Sequence, residues 1–341
     1  MGYIQWGGKK WHSPKPQRKR QPDINELMKP LSEKVGTGNL WGSVIMNVPQ
    51  DGVTPPPVET YHLMDEASNP LLTEGGDFID YDFVIPPTFD VDAQAYLDEV
   101  ISQGGTIDAT MSAATNTLFT ELKSNGIYSK LTAMYPILGG TQNAHAVEAL
   151  SPGGSYTLGF SGTWSHTSSG ADPVSSSPYA TTGLIPSSTY VGNAMSFGVY
   201  TTESNTAGDK YHLGAYVDNN NFTACGGRSG SVVYYNENNT FFTISDATSE
   251  GFLTASSDGA NVDTRLFRSG SLVGSKSGAI RGTALASVQM YIGALNLNNS
   301  YYSSSNVNTN FVFFGEYLTS TEIGNFETIV QSFNTSLSRQ V

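Results

Sequence analysis

Residues 288–315 read VQMYIGALNLNNSYYSSSNVNTNFVFFG, and the fold class is best inferred from this segment. Two short runs rich in Val, Tyr, Ile and Phe, 288–294 and 311–315, flank a cluster of Asn and Ser. Short β-branched and aromatic runs bounded by turn-forming residues are typical of antiparallel strands. The segment therefore predicts two strands separated by an exposed turn region.

The same pattern extends through most of residues 151–317. Further runs of this kind occupy 156–164, 195–201, 211–216, 231–235, 240–244, 251–255 and 264–267, separated by Gly, Asn, Asp or Ser clusters. With 36 Gly and 38% hydrophobic residues, the 341-residue chain has both the turns and the core that such strands need. Many short strands with turn signals between them indicate a mainly β protein, a β-sandwich or jelly roll.

The segment 318–341 predicts a C-terminal amphipathic helix packed on the sandwich. Thr319 and Glu322 have the spacing of a capping box, in which each side chain binds the other residue's backbone N–H. An apolar stripe follows in steps of three and four residues, formed by Ile323, Phe326, Val330, Phe333 and Leu337.

Residues 91–150 predict a small helical module. Asp92 is expected to cap a first helix that stops at Gly104, and a second is expected from about 112 to 124. A shorter helical turn is expected before Pro136. Helices of this length are marginal in water, so they are expected to pack on the β domain.

Residues 1–50 predict an extended anchoring arm. Residues 1–34 hold eight Lys or Arg and three acids, and aromatics alternate with the cations without a helical or strand period. Two interpretations stay open: a peg that inserts its aromatics into a partner protein, and a solvated tail. The peg is favoured because bulky aromatics are depleted in solvated tails. Its candidate anchoring residues are Trp6, Lys9, Lys10, Trp11, Arg18, Lys19 and Arg20.

Residues 51–90 predict an acidic, Pro-rich spacer. The window 35–108 holds thirteen acids and no Lys or Arg, and Pro55 opens a Pro triplet that favours extended backbone. With a net charge of −13, the whole chain would repel phosphate, so no specific nucleic-acid partner is expected. No run approaches the ~20 apolar residues of a membrane span.

Several kinds of chemistry lack their motifs. Cys225 is the only cysteine, which excludes an internal disulfide framework and favours a buried small side chain. The five histidines form no H-E-x-x-H motif, and no G-x-S-x-G elbow occurs. No catalytic residue, cofactor or metal site is therefore predicted. Asp218, followed by three Asn, offers oxygens for calcium, but a plain turn is favoured.

A distinctive set of segments lies between residue 91 and the C-terminus: AYLDEVISQGGTIDATMSAATNTLFTELKSNGIYSKLTAMYPILGG, LGFSGTWSHTSSGADP, ISDATSEGFLTAS, MYIGALN and LTSTEIGNFETIVQSFNTSLSRQV. They resemble a family of bacteriophage virion proteins, common in phages of Bacteroidetes-type hosts, that join a short helical module to a concanavalin-like (laminin-G-like) lectin domain. The resemblance covers about three quarters of the chain and leaves residues 1–90 uncovered. It implies a virion appendage, a fibre or spike on the particle exterior, with the sandwich facing outward and homotrimers common.

Two main functions follow as hypotheses. The first is a non-enzymatic head or tail fibre subunit, held by residues 1–50 to other virion proteins, whose lectin-like domain binds a host surface polysaccharide. Because pyranose faces stack on aromatic rings, the candidate ligand residues are the adjacent pairs Tyr234, Tyr235 and Tyr301, Tyr302, with one of each pair expected to face the core.

The second hypothesis is a glycan-cleaving enzyme on the same sandwich. It would need two carboxylates roughly 5–10 Å apart across a cleft. Glu203, Glu237 and Glu250 are the candidates, but they stand apart in Asn- and Ser-rich turns, so surface solvation is favoured. A ligand-free capsid decoration protein is a third alternative.

Overall fold

The computed structural model describes 89–175, 177–191, 194–204, 209–219, 221–228, 232–237, 240–245, 249–259, 264–269, 271–276 and 285–341, together with four two-residue strands before them. The chain divides into two compact units, Met1–Thr88 and Phe89–Val341. In the first unit, β1 (Gln5–Trp6) pairs antiparallel with β2 (Lys9–Lys10), and β3 (Tyr61–His62) pairs antiparallel with β4 (Asp80–Tyr81). The second unit contains the sandwich and its helices.

Two helices open the second unit, α1 (Val91–Ser102) and α2 (Ala109–Ser124). The prediction that Asp92 caps α1 is wrong. Asp90 is the cap, and its carboxylate accepts the N–H groups of Asp92 and Ala93 at 3.0 and 3.2 Å. Lys123 on α2 donates to the same carboxylate at 2.8 Å, so the cap also joins the two helices.

The helical turn predicted before Pro136 is replaced by two elements. A single 3-10 turn, Tyr128–Lys130, leads directly into a strand, β5 (Leu131–Tyr135). β5 lies antiparallel to a strand near the C-terminus, with Met134 opposite Phe313. The ladder supplies hydrogen bonds along the whole strand, and this tertiary pairing overrides the local helical preference.

The remaining elements, in chain order, are α3 (Gln142–His145), β6 (Gly159–Ser161), β7 (Trp164–Thr167), β8 (Gly170–Pro173), β9 (Tyr179–Thr181), α4 (Pro186–Thr189), β10 (Met195–Thr201), β11 (Asp209–Asp218), β12 (Asn221–Arg228), β13 (Val232–Glu237), β14 (Thr240–Ser245), β15 (Gly251–Ser257), β16 (Thr264–Arg268), β17 (Ser271–Lys276), β18 (Tyr291–Ile292), β19 (Leu295–Leu297), β20 (Ser300–Tyr302), β21 (Thr309–Gly315) and α5 (Ser320–Ser336).

These strands form two sheets, which confirms the predicted mainly β sandwich. Sheet I has the order β17-β16-β15-β10-β21-β8-β7, with β5 also pairing with β21. Sheet II has the order β14-β13-β12-β11-β18-β9-β6, and β19 joins β11 while β20 joins β19. Neighbours far apart in sequence, such as β10 and β21, lie side by side, as in sandwiches with crossover connections.

Several strand boundaries differ from the predictions. The strand predicted at 156–164 is two short ones, β6 and β7, interrupted at Gly162, whose φ of +77° favours glycine. The strand predicted at 288–294 shortens to β18. The strand at Ser271–Lys276, β17, was not among those predicted.

A core lies between the sheets. Sheet I contributes Phe197 and Phe314, and sheet II contributes Leu213, Cys225 and Ile292. Cys225 is buried as expected, and burial raises the pKa of its thiol.

A second core covers the outer face of sheet I. Here α1, α2 and α5 pack over the outward-facing aromatics of the sheet, and Phe326 on α5 lies 4.6 Å from Phe313, ring centre to ring centre. The predicted capping box of α5 is present, since Thr319 and Glu322 each bind the other's backbone N–H. Both faces of the central strands of sheet I, β10, β15 and β21, are thus buried. Among the described residues, no helix is long and apolar enough to span a membrane.

Candidate functional site

The outer face of sheet II is the candidate binding face. Side chains alternate across a strand, so the burial of Ala180 and Cys225 between the sheets directs their neighbours Tyr179 and Ala224 outward. On this face Ala224 belongs to a small separate cluster with Tyr211, Phe222 and Leu295. In the described part of the chain, the hairpin formed by β19 and β20 lies beside this cluster, and its strand β19 pairs with β11 of sheet II.

The sequence of this hairpin dictates a tight turn. Leu297 pairs with Ser300, and the two residues between them, Asn298 and Asn299, have φ values of +51° and +65°. A two-residue loop with both φ positive is the type I′ turn, and Asn is one of the few residues that tolerate this conformation. The Asn-Asn pair therefore fixes the register of the hairpin.

Amide side chains pin the hairpin to the sheet. Asn298 donates through Nδ2 to the Val217 carbonyl at 2.8 Å and through its backbone N–H to the Tyr216 carbonyl at 2.9 Å. The buried Asn296 donates to the Gln289 carbonyl at 2.8 Å and accepts the Asn299 N–H at 2.7 Å. Because these bonds cross from loop to sheet, the hairpin is ordered before any ligand arrives.

Tyr302 is the most accessible ring of the hairpin, with 49% of its surface exposed. Its ring centre lies 6.1 Å from that of the buried Tyr211, at 56° between planes. Tyr211 rests in turn on Phe222, which contacts the half-buried Tyr216 edge to face at 5.0 Å. Tyr302 is thus an exposed ring on an aromatic support.

Tyr301 is held differently. Its hydroxyl donates to the Ser304 Oγ at 2.9 Å and accepts the Ser304 N–H at 3.0 Å. Its half-buried ring lies 6.0 Å from Tyr179, which stacks on Tyr291 at 4.5 Å and 18° between planes. Burial raises the pKa of the Tyr291 hydroxyl, and the neighbouring Tyr179 adds to the shift.

We call the four accessible rings, Tyr179, Tyr216, Tyr301 and Tyr302, the tyrosine surface. Of the predicted pair, the Tyr302 ring is exposed, and the Tyr301 ring is half-buried with its hydroxyl bound to Ser304. Tyr179 and Tyr216 were missed by sequence reasoning because they come from distant strands. The signal for them is an outward position beside the hairpin, which only the sheet order reveals.

The other predicted ligand residues are placed less completely. The backbones of Tyr234 and Tyr235 lie on β13, opposite Gly226 and Cys225, and their side chains are outside the described part. In the arm, Trp6, Lys9 and Lys10 lie on β1 and β2, with their side chains likewise outside it. Trp11, Arg18, Lys19 and Arg20 are outside the described residues altogether.

The three candidate carboxylates are divided between the two sheets. Glu203 follows β10 and Glu250 precedes β15, and the pairing of Thr201 with Gly251 puts both at the same end of sheet I. Glu237 ends β13 in sheet II. Glu203 and Glu250 are thus the two candidates that the structure places at one end of a sheet.

The possibility of a calcium loop at Asp218 resolves into a turn between β11 and β12. Asn221 donates through Nδ2 to both Asp218 carboxylate oxygens, at 3.0 and 3.1 Å, and the Tyr216 hydroxyl donates to Asn219 at 3.1 Å. No group of three or more His, Cys, Asp or Glu side chains suited to a metal occurs among the described residues.

A groove of about 450 Å³ lies on another side of the second unit, between the end of α1 and the loop after α3. Glu99, Gln103, Asn143 and Thr157 form its polar lining, and Leu158 is among its apolar residues. None of its lining residues is aromatic. Since sugar rings stack on aromatic faces, the tyrosine surface is the better candidate for a saccharide site.

Comparison with known proteins finds no matching family model and no matching curated protein. Solved structures do resemble parts of the fold. A mutant of Trypanosoma rangeli sialidase displaying trans-sialidase activity aligns over 63% of this chain and 39% of its own, at 11% identity and a TM-score of 0.45. The carbohydrate-binding module CBM40 of the Ruminococcus gnavus IT-sialidase aligns over 38% of this chain and 79% of its own, at 13% identity and a TM-score of 0.33.

An SAP-like pentraxin from Limulus polyphemus aligns over 38% of this chain and 68% of its own, at 12% identity and a TM-score of 0.31. The chain spans two fifths or less of the length of the sialidases it matches. At these identities the likeness concerns the fold alone.

Proposed function

We propose that the sandwich is a carbohydrate-binding domain whose tyrosine surface stacks on the sugar rings of a bacterial surface polysaccharide. The observation that carries the proposal is the exposed ring of Tyr302, which contacts Tyr211 in the outer cluster of sheet II. Tyrosine suits this role because it offers a flat apolar face with a polar tip.

The rigidity of the hairpin supports the same function. Its turn is fixed by two Asn residues in the left-handed region, and its backbone is bonded to β11. A surface ordered before binding loses little conformational entropy when the ligand arrives, so more of the contact energy appears as affinity.

For the whole chain we propose a bacteriophage virion appendage, a head or tail fibre subunit on the particle exterior. Residues 1–50 would bind other virion proteins, residues 51–90 would act as a spacer, and homotrimers are the expected assembly. The family resemblance of residues 91–341 supports this, as do the contrast in charge along the chain and the separation of Met1–Thr88 from Phe89–Val341 as compact units. In this proposal the sandwich binds and does not catalyse.

The binding test uses the full-length protein on an array of bacterial surface polysaccharides. For the glycan bound by the wild type, Tyr302→Ala should weaken binding about five- to tenfold, the loss expected for one ring contact of roughly 1 kcal/mol. Tyr302→Phe keeps the ring and should retain most of the affinity. Leu272→Ala, which removes an exposed side chain from sheet I, is the matched surface control.

Three outcomes would contradict this assignment. Equal affinity of the wild type and Tyr302→Ala would move the site elsewhere. Binding to no surface glycan would favour a ligand-free decoration protein. Release of reducing ends from the bound polysaccharide, lost in Glu203→Gln or Glu250→Gln, would establish the depolymerase.

The anchoring part has its own test. A chain lacking residues 1–22 should fail to enter phage particles assembled with it as the only copy, as read by immunoblot of purified virions. The triple variant Lys9→Ala, Lys10→Ala and Trp11→Ala should enter less well than the wild type. Normal incorporation of the truncated chain would remove residues 1–22 from the anchor.

A further inference from the structure

The buried His145 and the half-buried His166 meet at the edge of the sandwich. His145, the last residue of α3, and His166, on β7, approach with their Nδ1 atoms 2.9 Å apart. His166 also contacts Phe160 edge to face at 4.7 Å and lies 6.4 Å from Trp164. The pair thus joins the loop around α3 to the hairpin formed by β7 and β8.

The surrounding bonds assign the protons of both rings. The Gly140 N–H donates to Nε2 of His145 at 3.2 Å, so this nitrogen carries a lone pair. A neutral His145 therefore holds its proton on Nδ1 and donates it to Nδ1 of His166. The proton of His166 then lies on Nε2, a buried atom that has no partner among the described residues.

This arrangement requires both rings to be neutral. A second proton on His145 would sit on Nε2 and face the Gly140 N–H, and a second proton on His166 would sit on Nδ1 and face the His145 N–H. In either case two N–H groups would point at each other, and the hydrogen bond between them would be lost. Burial lowers the pKa of His145 to about 3, with His166 and Arg339 acting in the same direction and a hydrogen bond to the Thr167 backbone opposing them; burial also lowers the pKa of His166.

Among the described residues, the charged groups near the pair would not stabilise the positive charge of an added proton. From the C-terminal segment, the Arg339 guanidinium is buried and donates to the Ile137 carbonyl at 2.8 Å, so it adds positive potential. On the neighbouring strand β8, Asp172 lies opposite Ser165, while His166 lies opposite the inward-facing Ala171. Asp172 therefore projects from the other face of the hairpin.

The β7–β8 hairpin has few other attachments to sheet I. It joins β21 through one register pair, Ala171 with Thr309. At its tip, the Ser169 carbonyl accepts from Asn308 at 3.3 Å and from Asn310. A hairpin attached at so few points depends on the contacts of its inner side chains.

We propose that the His145–His166 pair is an acid-sensitive latch that holds the β7–β8 hairpin against the sandwich and releases it when the pair is protonated. The other helices and the other strands of sheet I are outside the latch, because His145 lies on α3 and His166 on β7.

The magnitude follows from linkage. If His145 regains its ordinary pKa of 6.5 in the released hairpin and keeps a pKa of about 3 in the closed form, the open fraction rises about twenty-five-fold between pH 7 and pH 5. The sign is fixed because a base with a lowered pKa in the closed form favours opening as the pH falls.

The experiment is hydrogen exchange by mass spectrometry on the full chain at pH 7, 6 and 5, corrected for the intrinsic exchange rates. Amides of β7 and β8 should lose protection by at least tenfold at pH 5, while amides of α5 keep theirs. In His145→Gln, which removes the ring whose protonation sets this magnitude, the loss should be much smaller. His212→Gln, which removes a buried histidine from sheet II, should behave like the wild type.

A fluorescence titration gives a second measurement on folded wild-type protein. With Trp6, Trp11 and Trp41 replaced by Phe, Trp164 is the remaining tryptophan, and its emission should change in the same pH range as hairpin exchange. Unchanged protection of the hairpin down to pH 5 would overturn the proposal, and so would an equal loss in His145→Gln.

Discussion

A buried carboxyl on α5 gives the sharpest prediction about stability. Glu327 is 2% exposed and faces sheet I, and neither carboxyl oxygen has a hydrogen-bond partner among the described residues. Burial raises its pKa to about 8, against a small opposing effect of the Thr254 hydroxyl. Glu327 is therefore protonated in the folded protein at neutral pH and ionised in the unfolded chain.

The sign of the pH dependence follows from these two states. Below the ordinary pKa of 4.5, Glu327 is neutral whether the chain is folded or unfolded. In that range its ionisation does not lower the free energy of unfolding. Between 4.5 and 8 only the unfolded chain loses the proton, so the free energy of unfolding falls by about 1.4 kcal/mol per pH unit. From pH 6.5 to pH 8 the loss amounts to about 2 kcal/mol, because the slope flattens as the folded carboxyl begins to ionise.

The assay is urea unfolding, followed by circular dichroism, of the wild type and Glu327→Gln at pH 6.5, 7.0, 7.5 and 8.0. The difference between the two proteins isolates Glu327, since every other titrating group, including the buried Glu148, is common to both. We expect the variant to gain about 2 kcal/mol relative to the wild type over this range. Glu121→Gln, at an exposed position on α2, should follow the wild-type curve.

Parallel curves for the wild type and Glu327→Gln would refute the reasoning. They would mean that the carboxylate is solvated or paired in the folded protein, contrary to its buried position against Thr254. Glu327→Gln could be less stable than the wild type at every pH and still gain the 2 kcal/mol relative to it. This result would agree with the reasoning, because a constant difference in unfolding free energy comes from the amide side chain, whereas a difference that changes with pH comes from the ionisation of Glu327.

Further substitutions test the local structure. Thr319→Ala should lower the free energy of unfolding by about 1 kcal/mol, because it removes the hydroxyl that accepts the Glu322 N–H, while Thr319→Ser should retain most of the stability. Gly293→Ala should cost about 1–3 kcal/mol and shift Trp164 emission, since φ is +78° and an added Cβ would lie 2.8 Å from the indole. Gly324→Ala, on α5 with nothing within 4 Å, should instead gain roughly 0.5–1 kcal/mol, and urea unfolding measures all three.

The sequence was sufficient to predict an element where the residues of that element alone determine its structure. The capping box at Thr319 and the strand at Met195–Thr201 follow directly from the sequence pattern. The start of α1 did not, because Asp90 and Asp92 are equally good caps locally. Asp90 is held in place from the second helix, where Asn116 accepts the Asp90 N–H at 2.7 Å and Lys123 binds its carboxylate at 2.8 Å.

The candidate site likewise contains some residues that the sequence pattern points to and others that only the sheet order reveals. The adjacent pair Tyr301 and Tyr302 stands out in the sequence because Asn and Ser surround it, and the structure exposes one of the two rings. Tyr179 and Tyr216 carry no such mark, since each sits in an ordinary strand. Their contribution depends on the order of β9, β18 and β11 in sheet II, which is set by pairing between segments distant in the chain.

The layering of the fold explains why a ligand surface can occur on sheet II and not on sheet I. Along β21, Phe313 faces Phe326 of α5 and Phe314 faces the core between the sheets, so both faces of that strand are fully buried. A change at either position alters the core and its stability. On sheet II the hairpin leaves Tyr302 half exposed. Its ring can therefore be removed with little loss of packing, and an effect of Tyr302→Ala on glycan binding without a fall in unfolding free energy would separate recognition from folding.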